Sequence, residues 1–418
     1  MAVRVLILTA SVGEGHDAPA RTLAAQLREE EPAVEVAVVD GLAPLGRAVV
    51  AVSESAPRVV FYRFDWLWDL GFWAFARFGP TRRLTQALLY RVGGGGLLRV
   101  IRAHRPDVVV STYPQTTEVL GRLRRSGRLH VPFCAAVTDL AALWYWATPG
   151  ADVHLLTHEE SVAEVREIAG ASTRLHSVTG LTDRAFEQPR SRADARALLE
   201  LPASGRIVLV SGGGWGVGRL DDAVEAALAL EEVALVVCLC GRNESLRRTL
   251  GQKFEGRRVR VEGFTEQMPD WLAAADALVH STAGLTVLEA LIRGCPAISF
   301  GWGRGHIRLN NEAFRRFGLA AVAETRGELE SALGHALEAG RGPDLGYARR
   351  VSAASVVLAE ARDGARRREH DAGDRHDRER DHEHAAAQGC AAPVLASDER
   401  SEDDRDRDLH GHHRGPDA

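Results

Sequence analysis

The sequence predicts an α/β protein made of two consecutive doubly wound, Rossmann-like units. Three observations carry this expectation. Short apolar runs alternate with segments of helical spacing through the first half. The alternation restarts at "GRIVLVSGGGWGVG", residues 205–218. In each half an apolar run leads into a glycine-bearing turn, "SVGEGH" at 11–16 and "SGGGWGVG" at 211–218. Strands alternating with crossover helices argue for parallel sheets covered on both faces.

The elements follow in order. Val3–Thr9 reads as the first strand. Ala18–Glu30 then sets Ala20, Leu23, Ala24 and Leu27 on one helical face. Val34–Val39, Asp107–Ser111, Phe133–Val137 and Val153–Thr157 are apolar runs of strand length, and Leu97–His104 and Glu118–Arg125 are helical. In the second half Asp221–Leu230 is helical, and "VALVVCLCG", "RVRVEGF", "ADALVHS" and "PAISF" are strands with helices between them. A helical stretch, Tyr347–Ala361, closes the ordered body. These signals divide the chain into residues 1–180, residues 181–345, a C-terminal helix at 346–362 and a tail at 363–418.

Composition narrows the function classes. The chain has 418 residues, 45% apolar and 26% charged, which is enough for two globular domains. Its net charge of −5 comes from the tail, where 16 Asp and Glu face 10 Arg. The body is close to neutral and lacks the basic stripe of a nucleic-acid binder, so no nucleic-acid partner is expected. The tail also holds seven of the 16 histidines and few apolar residues, so disorder is expected there. No run is long and apolar enough to span a membrane, and the N-terminus lacks signal-peptide character. The five cysteines form no metal or disulfide pattern, Cys238-x-Cys240 reading as strand core; a reducing cytoplasm is expected.

Two segments carry candidate chemistry. Gly13-x-Gly15-x-x-Ala18, with Asp40 ending the next strand, is close to a dinucleotide fingerprint. It also places His16 after the second glycine, so the loop either cradles phosphates or presents a histidine. In the second unit, "HSTAGLTVLEALIRGCP" at 280–296 ends a strand in Ser281, Thr282 and Gly284 and starts a helix. The free N–H groups there suit an anion such as a nucleotide diphosphate. Glu289, two turns on, suits the vicinal hydroxyls of a ribose. The plainer alternative makes Thr282 an N-cap and Glu289 a solvated carboxylate.

From about Val5 to Val322 the chain resembles the glycosyltransferases that make monogalactosyldiacylglycerol and its glucosyl counterparts, within glycosyltransferase family 28. "LILTASVGEGHDAPARTL", "VVVSTYPQ", "AAVTDLAALWYWATPGADVHL", "VSGGGWGVG", "LCGRNESL", "VEGF" and "TAGLTVLEALIRGCP" occur in the family's order. The resemblance covers about three quarters of the chain and displaces the dinucleotide reading. It implies a GT-B architecture, two Rossmann-like domains facing a cleft, and transfer of a hexose from a UDP-sugar to a lipid hydroxyl, diacylglycerol first, giving a β-glycolipid. No cofactor or metal is implied.

The resemblance also implies roles. The donor would meet Gly213, Gly214, Arg242, Asn243, Gly263, Phe264, Ser281, Thr282, Gly284, Leu285, Thr286, Glu289, His306 and Asn310. His16 would be the general base, an imidazole being suited to take the proton of a lipid hydroxyl; a structural loop histidine is the alternative. Asp139 would orient His16 or the acceptor, or cap a turn. Gly15, Tyr113, Pro114 and Trp146 would lie on the acceptor side. The family's Pro-Gly-Gln-Glu, then Asn, reads here "FGWGRGHIRLNN": His306 and Ile307 replace Gln and Glu, and Asn310 holds the Asn position. The hexose, galactose or glucose, therefore stays open.

"FYRFDWLWDLGFWAFARFG" packs nine aromatic residues into 61–79. Trp66, Trp68 and Trp73, with Arg63 and Arg77 near them, suit an interfacial segment on anionic lipid. A core-packing helix is the bland alternative. The expected location is the cytoplasmic face of the cell membrane, held peripherally. Two other readings remain at this stage, a polyprenol-linked sugar transferase and a nucleotide-sugar-binding regulator without turnover.

Overall fold

Apolar residues that alternate along a buried strand must be covered on both faces, and both halves of the chain satisfy this. In the computed structural model Val5 and Ile7 pack into one core while Leu6 and Leu8 pack into another on the opposite face of the same sheet. Ile207 and Leu209, against Val208 and Val210, do the same in the second half. The structure describes residues 2–10, 14–46, 49–50, 78–281, 284–301, 303, 305–342 and 346–367; the side chains of Glu14 and His306 lie outside this description.

The first half holds β1 (Arg4–Thr9), β2 (Glu35–Asp40), β3 (Val108–Ser111), β4 (Phe133–Val137), β5 (Val153–Leu156) and β6 (Arg174–Thr179). The second holds β7 (Arg206–Ser211), β8 (Val233–Leu239), β9 (Val259–Glu262), β10 (Ala277–His280), β11 (Ala297–Phe300) and β12 (Ala321–Ala323). All described pairings are parallel. Strand order is β13-β6-β5-β4-β3-β1-β2 in the first sheet and β12-β11-β10-β7-β8-β9 in the second. The doubly wound expectation therefore holds in both halves.

The exception to simple halves is β13 (Val351–Ser352), which pairs with β6 in the first sheet. The helix over 353–367 follows it. Its Ala353, Ala354, Val357, Leu358 and Ala361 enter the core formed by Val5, Ile7 and the helix Glu14–Glu30 (α1). Glu360, buried, pairs with Arg174 of β6 at 2.6 Å. The expected helix at Tyr347–Ala361 is thus a short 3-10 turn, a strand and a longer helix. It completes the first domain rather than following the second.

Four consecutive glycines hid a second helix. Gly79–His104 (α2) is continuous, whereas only its end, Leu97–His104, was legible. A Cβ on Gly93 would lie 2.3 Å from Leu45 and one on Gly96 2.1 Å from the Pro44 carbonyl oxygen. The 3-10 turn Ala43–Leu45 lies directly on this helix, and only glycine leaves room for it. The aromatic segment with Trp66, Trp68 and Trp73, and the tail beyond residue 367, lie outside the described residues.

Candidate functional site

In a doubly wound sheet the crevice forms where the strand order reverses, outside the carboxyl ends of the strands. In the first sheet that point lies between β1 and β3. His16 sits in the first turn of α1, just after β1, and Thr112 and Tyr113 follow β3. The backbone carbonyl of His16 accepts from Thr9 Oγ1 (3.0 Å) and Thr112 Oγ1 (3.2 Å). Its ring Nδ1 lies 3.2 Å from the Thr112 carbonyl oxygen. A carbonyl only accepts, so the neutral ring carries its proton on Nδ1 and its lone pair on Nε2. Tyr113 meets the ring edge-on at 4.8 Å between centroids, and Trp146 lies against it at 5.5 Å.

Trp146 is delivered by the loop after β4. Its Nε1–H donates to Asp139 Oδ2 at 3.1 Å. The same loop reaches into the second half. Leu140 N–H and Ala141 N–H both donate to Asn310 Oδ1, at 3.2 and 2.9 Å. Leu140 is buried in the second half's core with Ile307, Ala313 and Phe314. Pro114 opens the helix Pro114–Arg125 (α3) and is buried, with Tyr113 as its N-cap. A Cβ on Gly15 would meet nothing within 4 Å, so the chain's own packing does not demand glycine there. Asp152, part of the quoted resemblance, is structural: it accepts from Phe133 N–H and holds Arg124 at 2.8 Å.

In the second sheet the order reverses between β7 and β10, and the two loops there touch each other. Ser281, after β10, donates through Oγ to the Val217 carbonyl in the turn after β7. Gly213, Gly216 and Gly218 of that turn are left-handed. A Cβ on Gly216 would lie 2.2 Å from the Cys240 carbonyl oxygen, and one on Gly241 2.4 Å from that of Gly213. Arg242 N–H donates to the Gly214 carbonyl at 2.9 Å. The Asn243 side chain accepts from Leu246 N–H and caps the helix Glu244–Lys253 (α4). Arg242 stacks its guanidinium 3.8 Å from the ring centroid of Phe264, which is 46% exposed and follows Gly263.

Gly284 precedes the helix Leu285–Ile292 (α5), with Leu285 and Thr286 half-buried in its first turn. Glu289 is half-buried on the same helix, and its carboxylate makes no hydrogen bond or ion pair among the described residues. Burial first, and the nearby Asp183 charge second, push its carboxyl up to about 7. Thr282 and the His306 side chain lie outside the described residues. Ile307 and Asn310 belong to the helix Gly305–Phe317 (α6). Ile307, in place of the family's Glu, is a core residue. Asn310 is buried, and its carbonyl oxygen is engaged by the first half.

Of the residues expected on the donor side, Gly213, Gly214 and Ser281 lie at the reversal point of the second sheet, and Gly284, Leu285, Thr286 and Glu289 follow at and along α5. Arg242 reaches the glycine turn from the loop after β8 and stacks on Phe264 after β9, and Asn310 is instead engaged by the first half. His16, Asp139, Tyr113 and Trp146 gather at the reversal point of the first sheet. Sequence reasoning missed Thr9, Thr112 and Leu140. A signal for the hydroxyls was available: β1, β3 and β4 each run into threonine, at Thr9, Thr112 and Thr138. Among the described residues no three His, Cys, Asp or Glu side chains cluster to hold a metal ion. A groove of about 870 Å³ beside β12 is lined by residues such as Arg315, Leu319, Glu328 and His335, and by none of the candidate site residues.

Residues 16–182 match the family model of monogalactosyldiacylglycerol (MGDG) synthase. Residues 205–337 match the model of glycosyl transferases group 1. A processive diacylglycerol beta-glucosyltransferase of Staphylococcus aureus (strain MRSA252) is 24% identical over 326 residues, which cover 77% of this chain and 81% of the relative. Among solved structures, the spinosyn rhamnosyltransferase SpnG complexed with thymidine diphosphate aligns with a TM-score of 0.53 at 12% identity, covering 85% of this chain and 99% of that one. Acinetobacter baumannii MurG aligns with a TM-score of 0.50 at 15% identity, with the same coverage. The chain thus has two Rossmann-like halves of GT-B type, the first similar to monogalactosyldiacylglycerol (MGDG) synthase and the second to glycosyl transferases group 1.

Proposed function

We propose that the protein is a hexosyltransferase that moves a hexose from a UDP-sugar to a lipid hydroxyl, diacylglycerol foremost, forming a β-glycolipid. The observation that carries this reading is the setting of His16. The Thr112 carbonyl leaves Nε2 as the basic nitrogen, and Trp146, held by Asp139, orients the ring. In a single displacement Nε2 takes the proton of the lipid hydroxyl as its oxygen bonds the anomeric carbon. The bond from that carbon to the diphosphate oxygen breaks, and the centre inverts. UDP leaves with added negative charge. In this reading the N-terminus of α5, whose first-turn N–H groups have no partner within the helix, meets that charge, and no metal ion is called on.

The acceptor is a membrane lipid in this reading, so the first domain must touch a bilayer. No helix among the described residues is long and apolar enough to cross a membrane. On α2, however, Leu84, Leu88 and Val92 are 71%, 60% and 55% exposed at a spacing of four, with Phe78 just before the helix. Exposed Arg83 and Arg91 flank this stripe, and Arg82 lies over Trp144, two residues before Trp146. Apolar side chains bordered by arginine suit the interface of an anionic bilayer. We assign this face to peripheral attachment on the cytoplasmic side.

The deciding experiment incubates the protein with diacylglycerol vesicles and a panel of UDP- and GDP-sugars, with and without EDTA. Glycolipid is expected from UDP-glucose or UDP-galactose, unaffected by EDTA. His16→Ala is expected to lower transfer by about 10²-fold or more with UDP affinity unchanged. UDP binding without transfer to any lipid, polyprenol phosphates included, would overturn the enzyme reading. Full activity in His16→Ala would overturn the assignment of the base.

A further inference from the structure

We infer that Asn310 is a positioning residue that couples the donor-side helix α6 to the loop orienting the base, rather than a reader of the sugar. The inference rests on the proposed transferase reading for its kinetic part only. Its geometry stands alone. Residues 139–146 form one loop with two attachments. At one end Asp139 holds the Trp146 indole, which lies against His16. In the middle Leu140 enters the core of the other half beside Ile307.

Burying Leu140 and half-burying Ala141 draws their backbone N–H groups away from water, and each needs an acceptor. Asn310 Oδ1 supplies both, from a side chain only 1% exposed. Accepting two N–H bonds fixes the amide's orientation, with the oxygen toward the loop. The next residue, Asn311, accepts from Ser299 Oγ of β11 at 2.7 Å, which sets the rotation of α6 on its sheet. Ala142, a non-glycine residue at φ 56°, then reverses the loop and sends Trp146 back to the first half. A left-handed alanine is held only where its surroundings over-determine it, so the loop moves as a unit.

The replacement of the family's Glu by Ile307 belongs to the same device. Ile307 belongs to the same apolar core as Leu140 and adds to the attachment that Asn310 makes polar. A shift of α6 when a donor binds is therefore carried through Leu140 and Ala141 to Asp139, Trp146 and His16. Loading of the second half aligns the base in the first.

The test compares Asn310→Ala and Asn310→Asp. A carboxylate still accepts both N–H bonds but loses the amide donor. For Asn310→Ala, kcat is expected to fall about 10- to 100-fold, the loss typical of a misplaced catalytic group, while UDP Kd and donor KM stay within about threefold. Asn310→Asp is expected to retain kcat within about threefold of wild type. Hydrogen exchange of a 138–146 peptide is expected to slow when UDP is added to the wild type, and not in Asn310→Ala.

Unchanged kcat in Asn310→Ala overturns the inference. So does a donor KM rise of about tenfold in Asn310→Asp with altered preference between UDP-glucose and UDP-galactose, which marks a sugar-reading amide. If Asn310→Ala does not fold, the Asp variant decides between these outcomes. If the wild type transfers no sugar, the transferase reading fails. The exchange measurement then decides alone: UDP-linked protection of 138–146 that survives in Asn310→Asp supports the coupling, and its absence in the wild type overturns it.

Discussion

Glu289 is a carboxylate that the fold tolerates at a cost, and replacing it by Gln should expose that cost. Burial lifts its carboxyl from 4.5 to about 7. That difference corresponds to about 3 kcal/mol against the ionised form, an upper bound because the group is only half-buried. The direction follows from proton binding. Below about pH 4.5 the group is protonated in both folded and unfolded chains, and no cost arises. Between about 4.5 and 7 the unfolded chain ionises first, so stability falls as pH rises, and above about 7 the full cost is present. Glu289→Gln removes it. After allowance for residual solvent, a gain of about 1–2 kcal/mol should raise Tm by roughly 2–6 °C at about pH 8, and by almost nothing at about pH 4.5. The same change should weaken UDP binding about 10- to 100-fold, because an ionised acceptor for the ribose hydroxyls is lost. Differential scanning fluorimetry and titration calorimetry at the two pH values read both effects. An equal Tm change at both pH values, or none at the higher one, refutes the electrostatic reasoning. Unchanged UDP affinity refutes the ribose role.

Three further outcomes are expected. Gly216→Ala forces a left-handed alanine at about 1–2 kcal/mol and sets its Cβ 2.2 Å from the Cys240 carbonyl oxygen; Tm and UDP affinity should both fall, and a silent variant would mean the turn is not rigid. Trp146→Phe keeps a ring against His16 but removes the donor to Asp139; kcat should drop about 3- to 10-fold with donor KM unchanged, the scale of one net hydrogen bond. Leu84→Asp with Leu88→Asp should abolish sedimentation with anionic vesicles while UDP binding persists, and retained sedimentation would move the membrane contact elsewhere on the chain.

What was legible depended on how completely a segment is buried. β1, β3, β4, β7, β8 and β10 are apolar runs because both faces of each are covered, and they were found with nearly the observed bounds. β6, "RLHSVT", is buried only at its last two residues, so polar side chains masked it. β13 is two residues long and leaves no periodic trace. The glycine run at 93–96 weakens the local helix signal, and the Pro44–Leu45 contact accounts for Gly93 and Gly96. In the site, His16 and the "STAGLTVLE" segment were legible because strand-to-helix turns at reversal points carry recurring residue types. The setting of Ile307 and Asn310 was not legible for the opposite reason. Their partners, Leu140 and Ala141, lie some 170 positions away in sequence, and nothing local signals a contact between halves.

The return of β13 and its helix to the first sheet governs the order in which the protein can be made. Synthesis proceeds from the N-terminus, and domains usually fold as they emerge. The second Rossmann-like half, whose described core ends near Leu337, has all its parts before residue 351 is translated. The first half waits. Its sheet lacks an edge strand, and its α1-side core lacks Ala353, Ala354, Val357, Leu358 and Ala361, until the last residues of the body appear. The donor-side half therefore matures first, although it is encoded second. The sheet that bears α1, and with it His16, is completed only as the body nears its end.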